Sequence, residues 1–211
     1  MDIDLFPERL FLTGTDTGVG KTYVACLLLR QWHHAGHRPM AVKPFCCGER
    51  TDAVDLFNAC DRDDITLDQV NPLWLRVPAA PYVAAMIENR PVDLPGLLQH
   101  CQDSAGLGDR VLVEGAGGWE VPLRADVMLS DFARDLGWPV VVVVRNQLGA
   151  LNHTILTVRA IAAAGLTCAG LVINHPADER DAASISNRAV LEDVLRVPVL
   201  AEVMHGEGGE R

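Results

Sequence analysis

The residues best placed for chemistry lie in the run Gly14-Thr15-Asp16-Thr17-Gly18-Val19-Gly20-Lys21-Thr22, between an apolar stretch and an amphipathic one. Glycines let such a backbone curl until successive N–H groups face a phosphate, with a lysine reaching the β/γ oxygens and a threonine hydroxyl open to Mg²⁺. The usual Gly-x4-Gly-Lys-Ser/Thr spacing would put glycine where Thr15 stands, and Gly14 comes one residue early. Of the 18 lysines and arginines only two are lysines, Lys21 and Lys43. Lys43 ends the next apolar stretch, after Pro39-Met40-Ala41-Val42. A compact ammonium at both places, rather than a planar guanidinium, suits a site that handles phosphate.

Three further segments carry candidate groups. In Lys43-Pro44-Phe45-Cys46-Cys47-Gly48-Glu49-Arg50-Thr51-Asp52, the lysine would face the phosphates from a strand end, and Asp52 offers a carboxylate to a metal. Taken singly, these residues also read as solvated loop charges. In Val111-Leu112-Val113-Glu114-Gly115-Ala116-Gly117-Gly118-Trp119, an acid closes an apolar strand, the position of a Mg²⁺ carboxylate. Gly115, Ala116 and Gly117 let backbone and ligand approach closely, while Trp119 either walls the site or belongs to the core. Asn174 ends Leu171-Val172-Ile173, and its amide both donates and accepts, as the adenine edge requires; a helix cap is the alternative. The histidines are dispersed. His33, His34, His37 and His100 read as superficial, and His153, near a helix start, is the one of interest.

Something must position these groups. Short apolar runs alternate with amphipathic ones, the pattern of an α/β chain with a parallel sheet and helical crossovers. Strands are predicted at Arg9–Thr13, Pro39–Lys43, Arg110–Glu114, Pro139–Val144, Cys168–Asn174 and Val197–Ala201. Helices are predicted at Lys21–Ala35, Ala53–Ala59, Tyr82–Glu88, Leu94–Ser104, Met128–Asp135, Leu151–Ala164 and Ala182–Leu195. In an open parallel sheet the ligand crevice lies beyond the carboxyl ends of the strands. That edge would gather Gly14–Thr22, Lys43–Asp52, Glu114–Gly118 and Asn174.

The whole chain sets bounds. Its 211 residues, 49% hydrophobic and 22% charged, suit one soluble domain, taken as residues 1–204 with a disordered tail at 205–211. A formal charge of −10 argues against nucleic-acid binding, but not against a nucleotide held by local N–H groups and one or two cations. The six cysteines lack metal spacing and read as reduced thiols. No signal-type segment opens the chain, and Trp138–Val144 is too short to span a bilayer, so a cytoplasmic protein without membrane contact is expected.

Together these motifs resemble the dethiobiotin synthetase family of P-loop enzymes, from about Leu10 to Glu202. The resemblance rests on Gly14–Thr22, Lys43-Pro44, Thr51-Asp52-Ala53, Val70-Asn71-Pro72, Val113–Trp119, Leu148-Gly149 with Asn152-His153, and Asn174. It implies a three-layer P-loop NTPase-like α/β fold with about seven parallel strands, and a homodimer. It also implies an ATP-dependent cyclo-ligase that closes a ureido ring on 7,8-diaminononanoate with CO₂, using Mg²⁺. The family's roles then fall on Lys21, Lys43 and Thr17 for catalysis, and on Thr22, Asp52 and Glu114 for the metal. Nucleotide contacts fall on Gly18, Val19, Gly20, Lys21, Thr22, Tyr23, Asp52, Glu114, Gly115, Ala116, Gly117, Asn174 and His175. Substrate contacts fall on Cys47, Gly149, Ala150, Leu151 and Asn152, the last four reaching in from a partner subunit.

The chain departs from the family in four places. Cys47 stands where serine is common, Gln147 where some relatives have lysine, and His175 where aspartate is common. Beyond Ala201-Glu202-Val203 the usual proline and adenine-contacting glutamate are not recognisable. Two other readings compete: a related amide- or lactam-forming ligase, and an ATP-gated switch of the septum-placement or partition type. The switch class typically adds a lysine early in the loop, where this chain has Gly14-Thr15-Asp16.

Overall fold

A computed structural model describes residues 1–178 and 181–207. The strands are β1 (Arg9–Gly14), β2 (Pro39–Val42), β3 (Phe45–Cys47), β4 (Leu73–Leu75), β5 (Arg110–Glu114), β6 (Pro122–Arg124), β7 (Val127–Met128), β8 (Val140–Arg145), β9 (Cys168–Asn174) and β10 (Val199–Val203). The helices are α1 (Lys21–His34), α2 (Thr51–Cys60), α3 (Leu67–Val70), α4 (Pro81–Ile87), α5 (Leu94–Ser104), α6 (Leu129–Leu136), α7 (Ala150–Ala163) and α8 (Ala182–Val194).

Six strands form one parallel sheet in the order β10-β9-β8-β1-β5-β2. The run Val140–Val144 explains why β8 is central: these valines are buried, as a strand covered on both faces requires. In β1, Leu10, Phe11 and Leu12 are equally buried. Helix α1 presses Val24, Leu28 and Trp32 into the same core and lies against α2. Because the strands run one way, the segments after β1, β2, β5, β8 and β9 emerge on one edge.

Two expectations are corrected. The principal sheet has six strands rather than about seven; β3 and β4 instead form a separate parallel pair. The last strand lies two residues later than expected. Pro198 cannot donate to the ladder, and only its carbonyl joins, accepting Leu171 N–H at 2.9 Å. Of the expected tail, His205–Glu207 form a turn, in which Met204 N–H donates to the Glu207 carboxylate at 2.8 Å. Residues 208–211 lie outside the described ones. Among the described residues, no helix is long and apolar enough to cross a membrane.

Candidate active site

The segment joining β1 to α1 has left-handed backbone at Gly18 (φ +72°) and Gly20 (φ +94°), conformations that favour glycine. Gly20 also sits so close to Asn174 that an added Cβ would lie 2.2 Å from its Nδ2. The Lys21 ammonium reaches back to the Asp16 carbonyl at 3.0 Å, and the Asp16 carboxylate accepts Thr17 N–H at 2.7 Å. Burial pushes Lys21 down to about 8; the adjacent Lys43 charge adds to this, against the pull of Glu114, Asp52 and Asp16. The segment after β5 packs on this loop: a Cβ at Gly117 would lie 3.4 Å from Thr17 Oγ1.

Lys43 follows β2 directly and is buried. Its Nζ contacts Glu114 Oε1 at 2.5 Å, the Gly115 carbonyl at 3.2 Å and Asp52 Oδ2 at 3.3 Å. Burial would lower its pKa, but the Glu114 and Asp52 carboxylates outweigh that and hold the ammonium above its ordinary range. Thr22 Oγ1 donates to the same Glu114 oxygen at 2.8 Å. The loop lysine's neighbours and the strand-end lysine therefore meet at one carboxylate. Three separate stretches converge there: Thr22, which follows Lys21 in the loop; Lys43, whose ammonium also meets Asp52; and Glu114 itself.

The donor set can be tested for a divalent cation. Glu114 is fully buried, and its Oε2 has no hydrogen-bond partner among the described residues. A lone carboxylate oxygen beside a threonine hydroxyl and a half-exposed aspartate is a set of hard oxygens that suits Mg²⁺, which keeps several waters. Among the described residues no group of three or more His, Cys, Asp or Glu is placed to hold a metal.

Asn174, at the end of β9, donates through Nδ2 to the Val19 carbonyl at 2.9 Å. It is a brace between sheet and phosphate loop. His175 follows Asn174 and turns its ring into the protein. The ring is buried, with Nε2 2.8 Å from Glu202 Oε2 and Nδ1 3.4 Å from the Asn146 amide, so both nitrogens are engaged inside the protein. Tyr23 is part-exposed, and its hydroxyl donates to the Glu207 carbonyl.

The substrate-side candidates divide into two places. Cys47 is half-buried on β3, and burial pushes its thiol up to about 11. Gly149 (φ +91°) caps α7 without a side-chain hydrogen bond, leaving the first-turn N–H groups at Leu151 and Asn152 uncapped. These residues follow β8, three strand positions from β2, or about 14 Å at the usual strand spacing. Trp119 belongs to the core, edge-on to Phe11 with ring centroids 6.3 Å apart. His153 is exposed on α7, and His100 is less superficial than expected, its Nε2 2.7 Å from the Gln69 carbonyl.

Two residues had no individual role predicted, although Asn71 lies in one of the motifs that carry the resemblance. Asn71, almost wholly buried, donates Nδ2 to the Lys43 carbonyl at 2.7 Å, while Lys43 N–H donates to the Val70 carbonyl at 2.7 Å. A lone polar residue between Val70 and Pro72 was the available signal. Arg145 donates to the Gly18 carbonyl at 3.3 Å, and only the sheet order brings it there.

Comparison with known proteins adds the family. A family model described as an AAA domain matches residues 8–207. The ATP-dependent dethiobiotin synthetase BioD of Akkermansia muciniphila is 44% identical over 200 residues, covering 95% of this chain and 93% of that protein. The same-named protein of Aromatoleum aromaticum is 37% identical, covering 97% and 93%. Among solved structures, the septum site-determining protein MinD of Pyrococcus horikoshii, complexed with Mg-ADP, superposes with TM-score 0.61 at 21% identity, covering 93% of this chain and 81% of that one. A ParA family ATPase from Chlorobium tepidum gives TM-score 0.54 at 13% identity, covering 95% and 86%. These last two likenesses establish the shared fold alone. The relatives at 37–44% identity go further, and the chain belongs to the dethiobiotin synthetase family.

Proposed function

We propose that the protein is an ATP-dependent dethiobiotin synthetase acting on 7,8-diaminononanoate and CO₂. The observation that carries this reading is the meeting of Lys43 and Thr22 at the buried carboxylate of Glu114, with Asp52 on the same Lys43 ammonium, beside the glycine loop that ends in Lys21. A phosphoryl transfer between anions needs charge neutralisation and positioning more than covalent chemistry from the protein.

One amine of the substrate adds to CO₂, forming a C–N bond and releasing a proton, which leaves a carbamate. A carbamate oxygen attacks the γ-phosphorus of ATP, and the bond to the bridging oxygen breaks to release ADP. The second amine then attacks the carbamoyl carbon; a second C–N bond forms, the C–O bond to phosphate breaks, and a proton and phosphate leave. Lys21 neutralises the β/γ oxygens, with the loop N–H groups from Gly18 to Tyr23 and the Thr17 hydroxyl lining the phosphates. Lys43 bridges carbamate and γ-phosphate, and Cys47 faces the substrate. Thr22, Asp52 and Glu114 would hold Mg²⁺, which when bound supplies further neutralisation of the phosphates. Asn174 accepts from the base through Oδ1, while Gly115, Ala116 and Gly117 leave room for the nucleotide.

The uncapped start of α7, Gly149–Asn152, offers N–H groups to a carboxylate. Its separation from β2 across the sheet favours a homodimer in which this element serves the partner's substrate. The decisive assay supplies the purified protein with diaminononanoate, bicarbonate and MgATP. Phosphate release that requires both the diamine and CO₂ is expected. Release stimulated instead by lipid, DNA or a protein partner would overturn the reading in favour of a switch.

A further inference from the structure

Away from the phosphate loop, a concavity of about 490 Å³ is lined by Arg50, Asp68, Trp74, Arg76, Glu88 and Arg90, among others. Three guanidinium groups thus meet in a chain whose formal charge is −10. Each of the two carboxylates there has one oxygen already engaged. Asp68 pairs with Arg50 at 2.6 Å, and Glu88 Oε1 accepts the backbone N–H groups of Arg76 and Val77 at 2.5 and 2.9 Å. Arg76 lies over the Trp74 ring, 4.3 Å from its centroid, and Arg90 donates to the Trp74 carbonyl at 2.8 Å. Neither has a carboxylate partner among the described residues. Two fork-shaped cations are left facing a cavity of ligand size, held in place by an indole and a carbonyl.

The walls of this cavity are tied to the active-site segment at both ends. Trp74 Nε1 donates to the Gly48 carbonyl at 2.8 Å, next to Cys47. Arg50 Nε donates to Asn71 Oδ1 at 2.9 Å, and the same Asn71 side chain holds the Lys43 carbonyl at 2.7 Å. Arg50 itself stands two residues before Asp52. A ligand that draws on Arg50, Arg76 and Arg90 therefore pulls on the residues that frame Lys43.

We propose that this arginine-lined concavity is a binding site for a small oxyanion, phosphate or carboxylate, and that its occupancy alters substrate handling at Lys43. Guanidinium groups recognise both anions through paired N–H donors, so the chemistry is common to the two. The binding half is independent of the dethiobiotin synthetase reading; the coupling half rests on it.

The test is calorimetric titration of the full chain saturated with MgADP, so that the phosphate loop is filled, with inorganic phosphate in one arm and acetate in the other at constant ionic strength. Binding of at least one anion is expected. It should weaken about tenfold or more in the Arg76→Ala/Arg90→Ala variant, since each charge-assisted bond is among the stronger kinds. Response to phosphate alone identifies a phosphate site, and response to acetate identifies a carboxylate site. No binding of either, or equal binding by the folded double variant, overturns the proposal. For the coupling, the anion that binds should shift KM for the diamine in the wild-type protein and leave the double variant unmoved. Binding that is lost in the variant without any such shift overturns the coupling.

Discussion

Lys43 and Glu114 form a buried ion pair across adjacent strands, Nζ to Oε1 at 2.5 Å, with side chains 4% and 0% exposed. Neither charge has bulk water as an alternative partner, so each makes the other tolerable. Removing one partner of such a pair typically costs about 3–5 kcal/mol, because the other is left buried and uncompensated. Glu114→Gln is therefore expected to lower the thermal midpoint clearly, with Asp52 offsetting only part of the loss. Adding Lys43→Met should restore stability without restoring turnover. Thermal denaturation of the three proteins checks this, and a wild-type midpoint for Glu114→Gln would contradict it.

Lys21 predicts a pH dependence. Burial sets it at about 8 in the folded protein against an ordinary 10.5. Between these values the unfolded chain holds the extra proton, so this residue's contribution to stability rises with pH across that window. Its contribution to ATP binding does the reverse, because the neutral amine cannot neutralise phosphate. The kcat/KM for ATP should fall above about pH 8, close to tenfold per unit once the proton is lost. A profile level to pH 9.5 or so would exclude Lys21 as the titrating group.

Charge alone is not expected to suffice at either lysine. Arginine is planar and longer, and cannot occupy the space between Glu114, Asp52 and the Gly115 carbonyl. Lys21→Arg and Lys43→Arg should each lose on the order of 10²-fold or more in turnover. Steady-state phosphate release decides, and near-normal rates in both would show that positive charge is enough.

Gly20 tests the brace between loop and sheet. Its φ of +94° and the 2.2 Å approach of Asn174 Nδ2 to an added Cβ leave alanine no unstrained place. Gly20→Ala should weaken nucleotide binding about tenfold or more, from backbone strain of order 1–3 kcal/mol. Combining it with Asn174→Ala should recover part of that loss in an ADP titration; if Asn174→Ala recovers none of it, the clash is not the cause.

Cys47 predicts a gain. Its thiol, held up to about 11, stays protonated at neutral pH and donates weakly. Cys47→Ser should lower KM for the diamine about 2–10-fold, the worth of one ordinary hydrogen bond, with kcat little changed. An unaltered KM would place the side chain away from the substrate.

Much of this was legible from local pattern. The valine run of β8, the amphipathic α1 and the glycine-rich turn between β1 and α1 follow from hydrophobic period and backbone freedom, which neighbouring residues decide. Lys21, Lys43, Asp52, Glu114 and Asn174 could be named because parallel strands deliver their ends to one edge. What the chain alone did not reveal was how those residues pair. That Lys43 and Thr22 share one oxygen of Glu114, that Asn174 grips the Val19 carbonyl, and that His175 turns to Glu202 depend on the strand order and on which side chain fills which space. The same holds for Asn71 and Arg145, whose partners lie 28 and 127 residues away. Hydrophobic period and turn chemistry are short-range and survive in one dimension. The pairing of buried polar groups is long-range, and only the folded chain sets it.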